Sequence, residues 1–255
     1  MPTADAEGAF RTDNHAWSSA WKNDYAFQAG PSKAMNWYWA RDTGFQKAAG
    51  LRASDADSMC GTTVMYDAVN GLILTARGPP SYQDSDATNN VHLIAIRSPE
   101  VAPTVETLKS TTYKICSRKY LWNPTTQTYA ISPPHAIPTT YYSVACLTLD
   151  RRTFTGGGGS YGLSCAANHA DAQIYSPAYL FTSNGTAAIH PVISSATSTV
   201  NIGGIVTIAT DTAVTSFSIT RHGSATHAVN TDQRRIALTP YIFTIPHDPG
   251  IALEG

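Results

Sequence analysis

Two histidines, His222 and His227, lie five residues apart in a segment rich in Ser and Thr. On a continuous strand this spacing places the two imidazoles on opposite faces, so a turn must separate them if both are to bind one metal ion. Gly223-Ser224 is a sequence that permits such a turn. A histidine in a loop of this composition is more often an ordinary polar residue than a ligand, and the spacing alone leaves both interpretations open.

Three other groups carry polar or ionisable side chains. The Tyr141-Tyr142 pair is typical of strand packing. His169 and Asp171 fall on one face of an extended segment, which suits either a metal ion or a structural hydrogen bond. Residues 11–15 (Arg-Thr-Asp-Asn-His) form a dense polar cluster, compatible with a loop network or with the edge of a sugar-binding site. These side chains alone do not select a reaction.

Several classes of chemistry and partner are disfavoured. The glycine run 156–159 lacks the Gly-Lys-Ser/Thr of a phosphate-binding loop, and the chain has no G-x-S-x-G motif. Only 14% of residues are charged and the net charge is −1, so nothing favours nucleic acid or an anionic membrane as a partner. Four irregularly spaced cysteines form neither a metal motif nor a dense disulfide framework.

The compartment stays open on these grounds. No apolar run approaches the roughly 18 residues of a membrane span. The first residues, Met-Pro-Thr-Ala-Asp, do not resemble a signal peptide as written. One acceptor sequence for N-glycosylation is present, Asn184-Gly185-Thr186, and it would be used only in the secretory pathway.

The elements that must position these residues are predicted to be strands. The chain has 18 Gly, 15 Pro and 13 Tyr, with weak helix signals, which indicates an all-β protein. Residues 64–78 read as strand, Asn-Gly turn, strand and glycine, and residues 144–159 repeat that order with another turn. An apolar hairpin ending in glycine, followed by a strand with an aromatic residue, suits a propeller blade. Two unrelated hairpins in a sandwich remain the alternative.

After about residue 180 the sequence pattern changes. Short segments of alternating apolar and polar residues, typical of strands, are separated by turns at intervals of about ten residues. The candidate strands are residues 191–194, 204–210, 213–220 and 235–239. This pattern predicts an immunoglobulin-like sandwich.

Taken in order, several segments resemble galactose oxidase and its fungal copper-radical oxidase relatives. The match is dense over residues 1–96 and 140–255 and thin over about 97–139. The segments that carry it are Arg-Thr-Asp-Asn-His-Ala-Trp (11–17), Phe-Gln-Ala-Gly-Pro-Ser (27–32), Ala-Met-Asn-Trp-Tyr (34–38), Val-Met-Tyr-Asp-Ala-Val (64–69), Tyr-Gln-Asp-Ser-Asp-Ala-Thr (82–88), Asn-His-Ala-Asp-Ala-Gln-Ile (168–174) and Arg-His-Gly-Ser-Ala-Thr-His-Ala-Val-Asn-Thr-Asp-Gln-Arg-Arg (221–235).

The resemblance implies a partial kelch-type β-propeller over residues 1–180 and a truncated, immunoglobulin-like early set domain over residues 181–255. It implies a copper enzyme that oxidises a primary alcohol, such as a galactose-type sugar, to an aldehyde and reduces oxygen to hydrogen peroxide. Copper transfers one electron at a time, and in the family a cysteine-linked tyrosyl radical supplies the second. The family is extracellular.

Five residues are carried over from the family by position. His227 matches the copper-binding histidine that a loop of the C-terminal domain delivers. Tyr141 matches the axial tyrosine, a copper ligand that takes the alcohol proton as general base. The next position is a histidine ligand in the family and is Tyr142 here. Arg11 and Gln83 match residues of the sugar pocket.

The departures from the family predict impaired catalysis or none. The radical tyrosine and its cysteine belong to a stretch upstream of Thr3, so two of four copper ligands and the radical cofactor are expected to be missing and copper binding to be weak. The segment 97–139 is too short for the blade it should contain. Either this is part of a full oxidase, or it is a degenerate paralogue kept as a carbohydrate-binding or interaction module.

Overall fold

The fold is built from strands, as the composition predicts. The computed structural model describes residues 16–59, 61–80, 86–108, 118–134, 136, 143–158, 168, 170–226, 229–245 and 248–254. Helical structure in these ranges is confined to two single 3-10 turns, Lys22–Asp24 and Ala178–Leu180. Neither is long and apolar enough to cross a membrane. The all-β prediction is confirmed.

Two four-stranded antiparallel meanders form the first part of the chain, and each has the strand order expected of a propeller blade. The Asn-Gly turn predicted within residues 64–78 joins the first two strands of the second meander, with Gly71 at φ +69°. The first meander contains β1 (Ser18–Ala20), β2 (Tyr25–Gln28), β3 (Ala34–Trp39) and β4 (Phe45–Leu51), and the second contains β5 (Thr62–Asp67), β6 (Leu72–Gly78), β7 (Thr88–Ala95) and β8 (Thr104–Leu108).

The two meanders share one hydrophobic core. Phe27 and Trp37, paired across β2 and β3, contact edge to face with ring centroids 4.8 Å apart. Met65 and Ile73 of the second meander are fully buried in the same cluster, together with Trp17. Burial of each such side chain stabilises the fold by about 1.5–3 kcal/mol. The aromatic and β-branched residues that favour strands therefore also join the two sheets.

The next strands form two smaller sheets. Between β8 and residue 143, the described residues form one hairpin. Trp122 of that hairpin contacts Tyr66 of β5 with ring centroids 4.7 Å apart. The hairpin contains β9 (Arg118–Asn123) and β10 (Thr128–Pro134), and the three-stranded antiparallel sheet contains β11 (Val144–Leu147), β12 (Thr153–Gly156) and β13 (Ala172–Tyr175).

The chain separates into two compact units: residues up to 177 together with 221–234, and residues 178–220 together with 235–255. In the second unit the strands lie in the order Ile193–Ala196, Ile205–Thr210, Asp248–Glu254 and Arg234–Ile245, and Phe217–Arg221 pairs with the last of these. Ile208 is buried there against Val206, Val214, Phe217 and Leu238. The strands of the C-terminal region are β14 (Ile193–Ala196), β15 (Ile205–Thr210), β16 (Phe217–Arg221), β17 (Ser224–Thr226), β18 (Val229–Thr231), β19 (Arg234–Ile245) and β20 (Asp248–Glu254).

One predicted strand of this unit begins later than expected. Residues 213–216 precede β16, because the chain bends at Asp211 before it. Asp211 fixes that bend: its backbone N–H donates to the carbonyl of Val192 (3.0 Å), and its Oδ1 accepts from the N–H of Val192 (2.8 Å). Alternation of apolar residues cannot reveal such a side-chain bond to the backbone.

A buried arginine ties β4 to the connection between β2 and β3. Arg52 is 1% exposed. Its Nη1 donates to the carbonyls of Ala29 and Ser32 (3.1 Å each), and its Nη2 donates to the Ser58 hydroxyl (3.1 Å). Its guanidinium carbon lies 5.4 Å from the centre of the Trp17 ring. These contacts offset the desolvation of the cation and fix the connection in place.

Gly78 at the end of β6 is required by a close backbone approach. Its φ is +120°, and a Cβ there would lie 2.6 Å from the backbone nitrogen of Gly61 and 2.6 Å from the Ser58 carbonyl oxygen. Backbone atoms cannot move aside as a flexible side chain can. The glycine predicted at this hairpin end therefore serves contact with the segment that precedes β5.

Replacing Gly78 with Ala is expected to destabilise the protein by about 3 kcal/mol, because strain and a backbone clash combine. Gly50→Ala is the matched control: its φ is also positive (+89°), but nothing lies within 4 Å of the added Cβ. Strain alone is expected to cost about 1–2 kcal/mol there. Urea unfolding measures both, and equal losses would contradict the steric argument.

Candidate functional site

The five residues carried over from the family, Arg11, Gln83, Tyr141, Tyr142 and His227, lie outside the described residues. The described strands that flank these residues define the surroundings of the candidate site.

The segment 221–234, here called the arm, contains the predicted histidine pair. Inside it β17 and β18 pair as an antiparallel hairpin, with Ser224 opposite Thr231 and Thr226 opposite Val229. Residues 227 and 228, which connect the two strands, are outside the described residues. His222 is exposed and lies between β16 and β17. Of the predicted Gly223-Ser224 turn, Gly223 lies in this connection and Ser224 is the first residue of β17.

Backbone packing brings the arm next to two strands of the first unit. Cα atoms of β18 lie within 8 Å of Cα atoms of both β5 and β11. Strand β18 begins two residues after His227, and β11 begins two residues after Tyr142. The described strands that follow two of the candidate copper-binding positions are thus neighbours, although Val144 and Val229, where they begin, are far apart in sequence.

Asp232 attaches the base of the arm to the first meander. Its Oδ2 accepts from Arg221 Nη1 at 2.6 Å, and its Oδ1 accepts from Arg234 Nη1 at 2.9 Å and from the N–H of Ala20 at 3.0 Å. Its own N–H donates to the Ser18 carbonyl at 3.2 Å. One carboxylate thereby joins both ends of the arm to each other and to β1, and such charge-assisted bonds exceed neutral ones in strength.

The last residues of the arm are fixed on β5. The N–H of Met65 donates to the carbonyl of Gln233 at 3.1 Å, and Arg234 pairs in parallel register with Met65. Met65 is fully buried, so this attachment lies against the core of the unit. The Arg234 guanidinium also donates to the carbonyl of Ala20 at 3.3 Å.

No metal centre is formed by the residues that the structure describes: these contain no cluster of three or more His, Cys, Asp or Glu suited to a metal ion. The copper-binding candidates are one imidazole (His227) and two phenols (Tyr141 and Tyr142). Cu(II) favours tetragonal sets of nitrogen and oxygen donors. This donor set suits copper in kind, with one nitrogen fewer than the family provides.

A buried Thr75–His92–Asp55 arrangement was not identified from the sequence. Thr75 Oγ1 lies 3.5 Å from His92 Nδ1, and His92 Nε2 lies 3.3 Å from Asp55 Oδ2, without the alignment of a hydrogen bond. Asp55 Oδ2 also accepts from Asn90 Nδ2 at 2.6 Å. The order resembles a catalytic triad, but Thr75 is 1% and His92 2% exposed, so a substrate cannot reach them. The three residues are distant in sequence, and no sequence motif predicts that they lie together.

Burial lowers the pKa of His92, and the positive charge of Arg52 lowers it further, while the Asp55 carboxylate acts in the opposite direction. The imidazole is consequently neutral in the folded protein at neutral pH. Its role in the described structure is to fill a polar interior position at the strand pair β6–β7.

We expect Asp232→Asn to loosen the arm. The change removes the negative charge that both arginines contact. At this partly exposed site the attachment should lose about 1–2 kcal/mol of stabilising free energy, which corresponds to roughly 5- to 30-fold faster amide exchange over residues 221–234. Hydrogen exchange with mass spectrometry measures it. Asp150→Asn is the control, because Asp150 pairs with Arg152 in a surface turn outside the arm. Equal exchange in the two variants would refute the attachment.

Stability is expected to fall with acid through His92. Because its folded pKa lies below the unfolded value of about 6.5, the unfolded chain binds the proton more readily. The contribution is complete above about pH 6.5 and declines below it, by at most about 1.4 kcal/mol per pH unit. Urea unfolding at about pH 7.5 and about pH 5.5 gives the free energy of unfolding at each pH. The difference between the two values should be smaller for His92→Gln than for the wild type. An unchanged difference would mean that another group is responsible.

Comparison with known proteins gives the context of these features. Residues 190–255 match the family described as galactose oxidase-like, early set domain. Two galactose oxidases of Gibberella zeae are each 41% identical over 300 aligned residues, covering 100% of this chain and 44% of the relative. The alignment is longer than the 255-residue chain, so these relatives contain internal residues that this chain lacks.

A solved structure, described as a novel fungal alcohol oxidase with catalytic diversity among the AA5 family, in complex with copper, superposes with a TM-score of 0.88 at 36% identity. The superposition covers 97% of this chain and 58% of that one. The chain thus spans less than half the length of the galactose oxidases that it matches. The chain is therefore a homologue of the galactose oxidase-like copper oxidases.

Proposed function

We propose that this chain is a galactose oxidase-like copper oxidase homologue with impaired or no alcohol oxidase activity. The family reaction converts a primary alcohol and O2 into an aldehyde and hydrogen peroxide. The packing of the arm is the observation that supports this relation to the copper oxidases. Strand β18, which follows His227, lies beside β11, which follows Tyr142. The observation that argues for impairment is Tyr142 itself, which stands where the family has a histidine ligand.

Copper in this proposal would be held by His227 and Tyr141. Bound copper would supply one-electron redox chemistry, and in the family a cysteinyl-tyrosine radical supplies the second electron. His227 contributes an imidazole nitrogen, and the Tyr141 phenolate also accepts the proton of the alcohol. Tyr142 replaces a neutral nitrogen donor with a phenol that must lose a proton to bind, which weakens copper binding near neutral pH.

Substrate recognition in this proposal falls to Arg11 and Gln83. A guanidinium and a carboxamide both donate hydrogen bonds to hydroxyl groups, which suits a primary alcohol or a galactose-type sugar. We further propose that the protein is extracellular, as the resemblance implies, and that nucleic acid and membranes are not partners. The proposed domains are a partial kelch-type propeller (1–180) and an early set domain (181–255).

The alternative function is a non-catalytic carbohydrate-binding or interaction module, and the tyrosine at position 142 favours it. Loss of a metal ligand removes the oxidase chemistry but leaves the sugar-binding side chains Arg11 and Gln83 in the chain. The alternative requires that galactose binds the copper-free protein and that Arg11→Ala weakens this binding.

The oxidase proposal predicts no measurable hydrogen peroxide from galactose with copper added, and weak Cu(II) binding. Tyr142→His restores a nitrogen donor and is expected to tighten copper binding at least about tenfold, equivalent to about 1.4 kcal/mol. Titration calorimetry gives the affinity, and the electron-spin spectrum of the copper-loaded protein reports added nitrogen coupling.

His227→Ala in the Tyr142→His background is the control, and it should abolish the gain. Turnover of galactose by the unmodified chain would contradict the impairment. Equal copper affinity of the unmodified and Tyr142→His proteins would contradict the assigned ligand position. Galactose binding without copper, together with no copper binding at all, would instead support the carbohydrate-binding alternative.

A further inference from the structure

The tight loop formed by residues 182–186 presents a modification sequence at the surface. An isolated bridge between Phe181 and Ala187 closes the loop. Within it the N–H of Thr182 donates to the Thr186 carbonyl at 2.8 Å, and the N–H of Gly185 donates to the Thr182 carbonyl at 3.0 Å. The tip carries Asn184-Gly185-Thr186, the Asn-x-Thr pattern of an N-glycosylation acceptor.

The geometry of this loop suits an acceptor asparagine. Asn184, Gly185 and Thr186 are all exposed. The side-chain oxygen of Asn184 accepts hydrogen bonds from the Thr186 hydroxyl (2.8 Å) and the Thr186 N–H (3.2 Å), and also from the Thr182 hydroxyl. All of these contacts are to Oδ1, so Asn184 is anchored through its oxygen while its Nδ2 nitrogen is the atom that would be modified.

Space around the loop is compatible with a bulky group. Gly185 has φ +84°, and no atom lies within 4 Å of the position of an added Cβ. By contrast, Asn36 is 1% exposed and could not carry a sugar in this fold. A glycan on Asn184 would project into solvent without displacing any described strand.

The sequence around the loop gives the modification a physical role. Three large apolar side chains near the loop, Tyr179, Phe181 and Ile189, are 52%, 42% and 98% exposed. A hydrophilic oligosaccharide beside them would oppose association through these side chains.

We propose that Asn184 is an N-glycosylation site whose glycan solubilises this exposed apolar segment. The Nδ2 nitrogen forms a bond to the anomeric carbon of a lipid-pyrophosphate-linked oligosaccharide. The bond from that carbon to the pyrophosphate oxygen breaks, one amide proton is released, and the lipid pyrophosphate leaves. The proposal rests on the extracellular location given under the proposed function, and it is independent of copper and of oxidase activity.

The test translates the full chain behind a cleavable secretory leader in the presence of endoplasmic reticulum microsomes. Protease protection identifies the imported chains. One glycan is expected on these, removable by peptide N-glycosidase with conversion of Asn184 to Asp in the tryptic peptide. Asn184→Gln and Thr186→Ala should each abolish the glycan. An imported wild-type chain that carries no glycan at Asn184 overturns the proposal.

The chain offers a matched internal control at another exposed turn. Asn123-Pro124-Thr125 has the same spacing, but proline at the middle position prevents transfer. We expect no glycan on Asn123 in the wild type and a second glycan in Pro124→Ala. If the Pro124→Ala protein carries a glycan at Asn123 and none at Asn184, the transferase is active and does not accept Asn184, which contradicts the proposal. Because the leader supplies entry and the readout is a mass, failure of the oxidase proposal cannot be mistaken for failure here.

Discussion

The attachment of the arm through the Asp232 carboxylate is the interaction on which the candidate site depends. It connects residues that are more than 200 positions apart, since Ala20 and Asp232 bond directly at 3.0 Å. A loop closed over such a length has a large entropic cost, and shared ionic bonds to Arg221 and Arg234 help to offset it. Asp232 also has φ +58°, a conformation that aspartate tolerates better than most residues.

The sheets that receive the arm are themselves held by buried polar groups. Arg52 donates hydrogen bonds to backbone carbonyls of the connection between β2 and β3. The neutral His92 lies beside Asp55 at the strand pair β6–β7. Around them, Phe27, Trp37 and Met65 belong to one apolar cluster that joins both meanders. The arm therefore contacts sheets whose positions are fixed by apolar packing and by the buried Arg52 hydrogen bonds.

The relation to the copper oxidases combines homology over the whole chain with a proposed change of one copper ligand. Identity of 41% extends over the whole chain, and the superposed alcohol oxidase shares its fold at a TM-score of 0.88. A metal site depends on a few donors rather than on overall similarity, so the proposed replacement of one histidine ligand by Tyr142 would alter copper binding while the fold persists. The Asn184 loop is independent of that site and concerns how the protein behaves at its surface.

The sequence by itself determined the strand content, the two glycine-terminated hairpins, most strands of the C-terminal unit and the homology to the galactose oxidase-like copper oxidases. These features are local, because the alternation of apolar and polar residues, the Asn-Gly turns and the motifs each depend on neighbouring residues. Only the tertiary structure revealed that Asp232 joins the arm to β1, that β18 lies beside β11, and that Thr75, His92 and Asp55 meet in the interior. Such contacts join residues far apart in sequence, and no period or motif encodes them. The positions of Arg11, Gln83, Tyr141, Tyr142 and His227 remain predictions from sequence, because geometry alone determines whether five side chains converge on one metal and one sugar.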